Sequence, residues 1–232
     1  SLSNDGFCSP QSSLTMAGRR KSLAAALPFG VVVDLDVCKD APRALWMSGV
    51  GDLASKITAV FDWKLAFHAV GEPVDDFAAL LSDATVHQFM GQPSFDVAGA
   101  RLLSTSLMFN GIAMEICGSS RPASGSEHLI SHALDAISKR PRLHGLQVGV
   151  ATYLMSLVQR NESDRIDRLF ERAGFWEAIR SDRFSREEWR KAIRLAPAIK
   201  DDFYTVLSQD GAVDRAISLL DDDDRLRSCF VA

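Results

Sequence analysis

What this 232-residue chain lacks narrows its reading first. It has no excess of positive charge: 26 Lys and Arg stand against 30 Asp and Glu, a formal net charge of −4. Its densest basic cluster is Gly18-Arg19-Arg20 followed by Lys21, too short to form the basic stripe that non-specific nucleic-acid binding requires. No apolar run approaches the roughly 18–20 residues that span a bilayer, and no stretch reads as a secretory signal. Four cysteines (Cys8, Cys38, Cys117 and Cys229) lie far apart with no C-x-x-C pair. That excludes a zinc ribbon and a disulfide framework, and it fits a reduced, cytoplasmic protein. What is present is a 47% hydrophobic composition, enough for a real core and for one or two domains.

The pattern along the chain is uneven. The opening SLSNDGFCSP reads as the middle of a loop that leads into a helix over 9–16, with Pro10 in its first turn. On this reading the chain is a fragment. PFGVVVDL, 28–35, is the one convincing strand, β-branched and bounded by Pro, Gly and acidic residues. From Ala41 the pattern turns helical. One helix opens at Pro42 and runs to about 68, and others follow near 73–90, 95–117, 125–138 and 143–160. Shorter ones follow near 163–173, 185–194 and 211–221. The run DDDD at 221–224 reads as a solvated helix end, and no internal repeat is present.

Histidine is scarce, with five in all, yet His128, His132 and His144 fall within 17 residues. RPASGSEHLISH carries a helix start, with Ser124 and Glu127 spaced as a capping box. His128 then lies in the first turn, where the helix dipole disfavours imidazolium and favours the neutral ring that a metal needs. His132 is one turn further along the same face. A metal held by histidines usually takes a carboxylate as well. Asp52 in SGVGD (48–52) is a candidate, with Ser48, Gly49 and Ser55 as small helical neighbours. The competing reading is an Asp52–Lys56 surface pair, and spacing alone does not choose between them.

These segments carry a family resemblance. SNDGFCSP (3–10), GVVVDLDV (30–37), SGVGDLASKITAVFDWKLA (48–66), RPASGSEHLISHALD (121–135), LHGLQVGVAT (143–152) and AIKDDFYTVL (198–207) resemble glycerol-1-phosphate dehydrogenases in order and spacing. The wider group includes glycerol dehydrogenases, iron-type alcohol dehydrogenases and dehydroquinate synthases. The resemblance implies a mainly α chain: the multi-helix C-terminal metal-binding domain of a dehydroquinate synthase-like two-domain fold. Residues 1–40 would be a remnant of the nucleotide-binding domain, with a short strand, and 41–232 the helical metal and substrate domain. The family's glycine-rich phosphate loop is absent, and GVG at 49–51 lies within a helix and does not replace it.

By the same resemblance, Asp52, His128 and His144 hold a divalent metal, zinc first, with nickel or iron in some members. His132 becomes a proton-handling residue beside the substrate, and Asp5 a contact to a substrate hydroxyl. Ser12 matches a contact to NAD or NADP. Arg121, just before the α-helix start with its outward N–H groups, is the candidate for the substrate phosphate, with Lys56 and Lys64 as weaker candidates. The implied reaction interconverts dihydroxyacetone phosphate and glycerol 1-phosphate, a small-molecule chemistry with no nucleic acid and no membrane span, and with a homo-oligomer left open. Two alternatives are a dehydroquinate synthase-like cyclase, or another polyol or alcohol dehydrogenase of the same superfamily. A third, of a different class, is a non-catalytic helical domain.

Overall fold

The computed structural model describes residues 2–16, 19–91 and 93–231. In chain order they form β1 (Gln11–Met16), β2 (Arg19–Ala24), α1 (Leu35–Lys39), α2 (Arg43–Ala54), α3 (Lys56–Val70) and α4 (Asp76–Gly91). These are followed by α5 (Val97–Cys117), α6 (Ser126–Ile137), α7 (His144–Gln159), α8 (Ser163–Ala173), α9 (Phe175–Ser181) and β3 (Phe184–Ser185). The chain ends with α10 (Arg186–Leu195), α11 (Ala212–Asp222), α12 (Asp224–Cys229) and β4 (Phe230–Val231). The fold is mainly α.

Local chemistry sets the helix ends. Asp96 caps α5 by accepting the Gly99 N–H at 2.9 Å, and Gly118 closes it in the left-handed conformation at φ 64°. Pro42 precedes the helical run as expected, but the run is broken at Ser55, whose hydroxyl donates to the Asp52 carbonyl at 2.7 Å. Asp52 therefore sits in the last turn of α2 rather than in mid-helix. α2 packs most extensively on α7, α4 on α5, and α6 on both α7 and α10. The main core threads through α2, α5, α6, α7, α9 and α10, with Trp176 and Trp189 fully buried. At the far end β3 and β4 pair in parallel, and Phe184 and Phe230 each pack 5.2 Å from the Trp189 ring.

Three expectations are corrected here. Residues 11–16 are a strand rather than a helix: β1 pairs antiparallel with β2, and Pro10 accepts the Ala25 N–H at 2.8 Å, so it opens a hairpin. The side chains of the basic cluster at 18–21 lie outside the described residues. Residues 28–34 form no strand. Their β-branched side chains have no ladder partner among the described residues, and Phe29 and Val32 are exposed. High β-propensity reports fit to a neighbouring strand, so an unpaired segment does not become one. The third is corrected only in part: the acidic run is the end of α11, with Asp222 and Asp224 exposed as expected, but its other two carboxylates are engaged. Asp221 pairs with Arg186 at 2.8 Å and with Arg190, while Asp223 caps α12 and accepts the Tyr153 hydroxyl at 3.2 Å.

Candidate metal centre

Small residues bring α2 and α7 together. A Cβ on Gly51 would collide with the Gly145 carbonyl, and one on Gly145 would collide with the Ser48 carbonyl. The Ser48 hydroxyl accepts the Gly145 N–H at 3.1 Å and donates to the Ser3 carbonyl at 2.8 Å. The first turn of α7 is thereby fixed against α2, and His144, its first residue, stands beside Asp52. The small neighbours of Asp52 make room for a close helix. GVG at 49–51 is buried helix packing and offers no phosphate cradle.

α6 arrives by a different route. Asp62 of α3 accepts the Ser126 N–H at 2.7 Å and, through its other oxygen, the Val206 N–H at 2.8 Å. Glu127 accepts the Gly125 N–H at 2.6 Å and the Thr58 hydroxyl at 2.8 Å, and its Oε1 lies 2.8 Å from His128 Nδ1. The expected Ser124–Glu127 capping box does not form, because the N-cap is Gly125 and only the glutamate half operates. Sequence reasoning read Glu127 as a cap alone and missed its grip on the histidine. Its place directly before His128 was the available signal.

Three elements converge at one point. Asp52, His128 and His144 offer ligand atoms that all lie within 4.8 Å of one another. Nε2 of His128 is 3.5 Å from Asp52 Oδ1, and Nε2 of His144 is 3.7 Å from the same oxygen. Oδ2 accepts the Asp5 N–H at 3.0 Å, while Oδ1 is buried with no hydrogen-bond partner among the described residues. A buried carboxylate oxygen without a partner is costly, and the spacings exceed hydrogen-bond length. Two imidazoles and one carboxylate are a donor set that fits zinc and other first-row divalent ions. Glu127 at His128 Nδ1 leaves Nε2 facing inward, the usual way a ligating histidine is oriented. The Ser131 hydroxyl lies 3.3 Å from His144 Nδ1 and accepts from Gln147 at 3.1 Å.

The electrostatics suit a cation. Burial by itself would raise the pKa of Asp52, but Lys56 and the two histidines outweigh it and hold the carboxylate well below its ordinary range. His128 differs from the dipole argument. Burial does favour the neutral ring, yet the flanking Asp52 and Glu127 carboxylates win and raise its pKa. Lys56 is no surface partner. Fully buried, it lies 3.8 Å from Asp52 and 3.0 Å from Asp5, and donates to the Ala123 carbonyl at 3.2 Å. Lys64 is exposed.

A cavity of about 530 Å³ opens beside this centre, lined among others by Asp5, Ser12, His128, His132, His144 and Lys200. That volume lies in the range of small-molecule sites. His132 stands outside the three-residue group, its ring centre 6.3 Å from that of His128 and 6.2 Å from that of His144. Asp5 reaches the wall from a short turn, its pKa raised by burial and then by Asp52, against the pull of Lys56. Arg121 is placed elsewhere. It is 1% exposed, does not line the cavity, and pairs through both fork nitrogens with Glu72. It also donates to the Tyr204 carbonyl at 2.8 Å and stacks 3.7 Å over the Phe203 ring. The Gly125 and Ser126 N–H groups near it are already taken by carboxylates, which leaves that helix start unsuited to a phosphate.

Residues 1–42 match the family model described as iron-containing alcohol dehydrogenase. A Pyrococcus furiosus protein named glycerol-1-phosphate dehydrogenase (NAD(P)+) is 37% identical over 213 residues, covering 90% of this chain and 62% of that protein. One from Methanothermobacter thermautotrophicus is 36% identical over 222 residues, 94% of this chain and 64% of its own length. Over most of its length this chain is similar to glycerol-1-phosphate dehydrogenases. It spans about 62% of the length of the first of them. The fold agrees too. A probable glycerol dehydrogenase from Sinorhizobium meliloti superposes with a TM-score of 0.68 at 16% identity, covering 98% of this chain and 69% of that one. Glycerol dehydrogenase from Schizosaccharomyces pombe gives 0.62 at 14% identity, covering 95% and 62%. At such identities the likeness speaks for the fold alone.

Proposed function

We propose that this chain carries the metal and substrate side of an NAD(P)-dependent dehydrogenase that interconverts dihydroxyacetone phosphate and glycerol 1-phosphate. The carrying observation is the buried Asp52 Oδ1, without a hydrogen-bond partner among the described residues and facing two imidazole Nε2 atoms beside the cavity. Asp52, His128 and His144 would hold the ion, zinc first and nickel or iron as alternatives. A bound divalent ion there supplies Lewis acidity, the chemistry that polarises a ketone and acidifies an alcohol.

The chain's own residues do the rest. Glu127 and Ser131 orient the two ligating rings. Asp5, tied by its backbone N–H to Asp52 and by its side chain to Lys56, presents a carboxylate oxygen to a substrate hydroxyl. His132, at the cavity wall, passes a proton to or from the substrate oxygen. Hydride exchange belongs to the nicotinamide. Ser12 is the one contact we assign to that cofactor, since the glycines of 49–51 are occupied in helix packing. Residues 1–40 are proposed as the segment toward the nucleotide-binding side and 41–232 as the metal and substrate domain. Four free thiols support a reducing, cytoplasmic setting.

The test uses the protein as its gene encodes it, loaded with zinc. NADH oxidation is expected on addition of dihydroxyacetone phosphate and not in its absence. No oxidation with zinc, nickel or iron, despite stoichiometric metal, would sink the dehydrogenase reading. Turnover of a sugar phosphate with no net NADH change would favour the cyclase.

A further inference from the structure

The cavity has a cation to which neither the sequence reading nor the metal centre assigns a role. Lys200 is the one lysine or arginine among its described lining residues. Its Nζ donates to the Ser120 hydroxyl at 3.1 Å and lies 4.3 Å from the centre of the Phe203 ring. No carboxylate oxygen lies within ion-pair distance of it among the described residues, although it is half-buried. Arg121 is its opposite in every respect: deeper, outside the cavity and neutralised by a bidentate carboxylate. The two are linked, because both cations lie over the Phe203 ring and Arg121 also holds the Tyr204 carbonyl.

Resting on the reading above, we propose that Lys200, with the hydroxyl of Ser120 beside it on the cavity wall, binds the phosphate of the substrate and sets the preference for a phosphorylated triose. Arg121, paired with Glu72, is a positioning residue that fixes the segment carrying Lys200. Three arguments support this. A dianionic substrate entering the cavity needs a cation, and Lys200 is the one lysine or arginine among the described lining residues. A hydroxyl flanking an ammonium gives a phosphate both charge and hydrogen-bond donors. Burial, and then the nearby Arg121, lower the pKa of Lys200 against the pull of Glu72, so an arriving dianion would favour its charged form.

The experiment compares kcat and KM for dihydroxyacetone phosphate and for dihydroxyacetone in the gene-encoded, zinc-loaded protein and in Lys200→Gln, Lys200→Met and Lys200→Arg. Loss of one charge-assisted contact should reduce the preference for the phosphorylated substrate by about 10- to 100-fold in Lys200→Gln and Lys200→Met, mainly through KM. Lys200→Arg should recover most of it. Inorganic phosphate should compete with dihydroxyacetone phosphate in the parent and far more weakly in Lys200→Gln. Zinc content checks that each variant folds, and two neutral replacements guard against one failing. An unchanged preference ratio in the neutral variants, with zinc retained, overturns the proposal while leaving the dehydrogenase reading intact. No turnover of dihydroxyacetone phosphate by the parent overturns that reading, and this proposal with it. The Arg121 role predicts that Arg121→Lys raises KM for the phosphorylated substrate without moving zinc affinity; an unchanged KM would remove it.

Discussion

Two buried carboxylates ten residues apart, Asp52 at the end of α2 and Asp62 in α3, show how adjoining helices serve two purposes. Both are completely shielded from solvent, yet their titration runs in opposite directions. Asp52 is held well below its ordinary range because, against burial, it has Lys56 and two histidines as neighbours. Asp62 is pushed up to about 6, first by burial and then by Glu127, in spite of the backbone N–H groups it accepts. The surroundings of Asp52 stabilise negative charge and leave one oxygen open. Those of Asp62 close both of its oxygens and tolerate a proton. The surroundings of Asp52 suit a nearby cation, and Asp62 anchors the start of α6, next to His128.

Breaking the first half of this contrast gives the largest effect. Asp52→Asn should weaken zinc binding by more than about 100-fold, measured by chelator competition, since even outer-shell changes cost about 10- to 100-fold. Zinc at 100 times its Kd should raise the melting temperature of the parent by roughly 5–10 °C, and this rise should vanish in Asp52→Asn. A retained rise would falsify the assignment of Asp52 as a ligand. Glu127→Gln leaves all three ligands but loosens the orientation of the His128 ring, so the expected loss is smaller, about 10- to 100-fold.

The Asp62 side is read through pH. Its folded-state value of about 6 lies above the ordinary 3.8. The folded chain therefore holds this proton more tightly than the unfolded chain. The contribution favours folding below about pH 4 and is lost as pH rises through about 6. Urea midpoints between pH 4 and 7 should show that Asp62→Asn flattens this slope. It should also cost about 1–2 kcal/mol throughout, because one amide oxygen cannot serve both Ser126 and Val206. An unaltered slope would mean that Asp62 ionises like an exposed carboxylate. The smallest effect belongs to His132→Ala, which should leave zinc affinity where it was; loss equal to that of His128→Ala would make His132 a ligand.

How much was legible depended on how local the cause was. From α4 to α8, and at α10 and α11, the 3.6-residue pattern with its capping residues located the helices to within a few positions, because those signals lie inside the helix itself. The hairpin at 11–24 was misread because Pro10 and Ser9 look the same before a helix and before a strand; only the partner at 19–24 decides. Residues 28–34 were misread in the reverse sense, having strand chemistry without a neighbour to pair with. Arg121 was legible as a cation before a helix, while the Glu72 that engages it is 49 positions away. Lys200 lies in AIKDDFYTVL, one of the segments that carry the resemblance, but nothing in that segment marks it as lining a cavity wall.

By itself the sequence determined the helical class, the donor types and the i, i+4 face shared by His128 and His132, because backbone periodicity and capping act over a few residues. Only the tertiary structure decided which donors meet. His128 lies closer to His132 in sequence, but its Nε2 faces Asp52 and its ring lies 5.1 Å from that of His144. That choice is made by the glycine contact of α2 with α7 and by the grip of Asp62 and Glu127 on the start of α6. These are steric and hydrogen-bonding constraints between segments, and no local pattern encodes them.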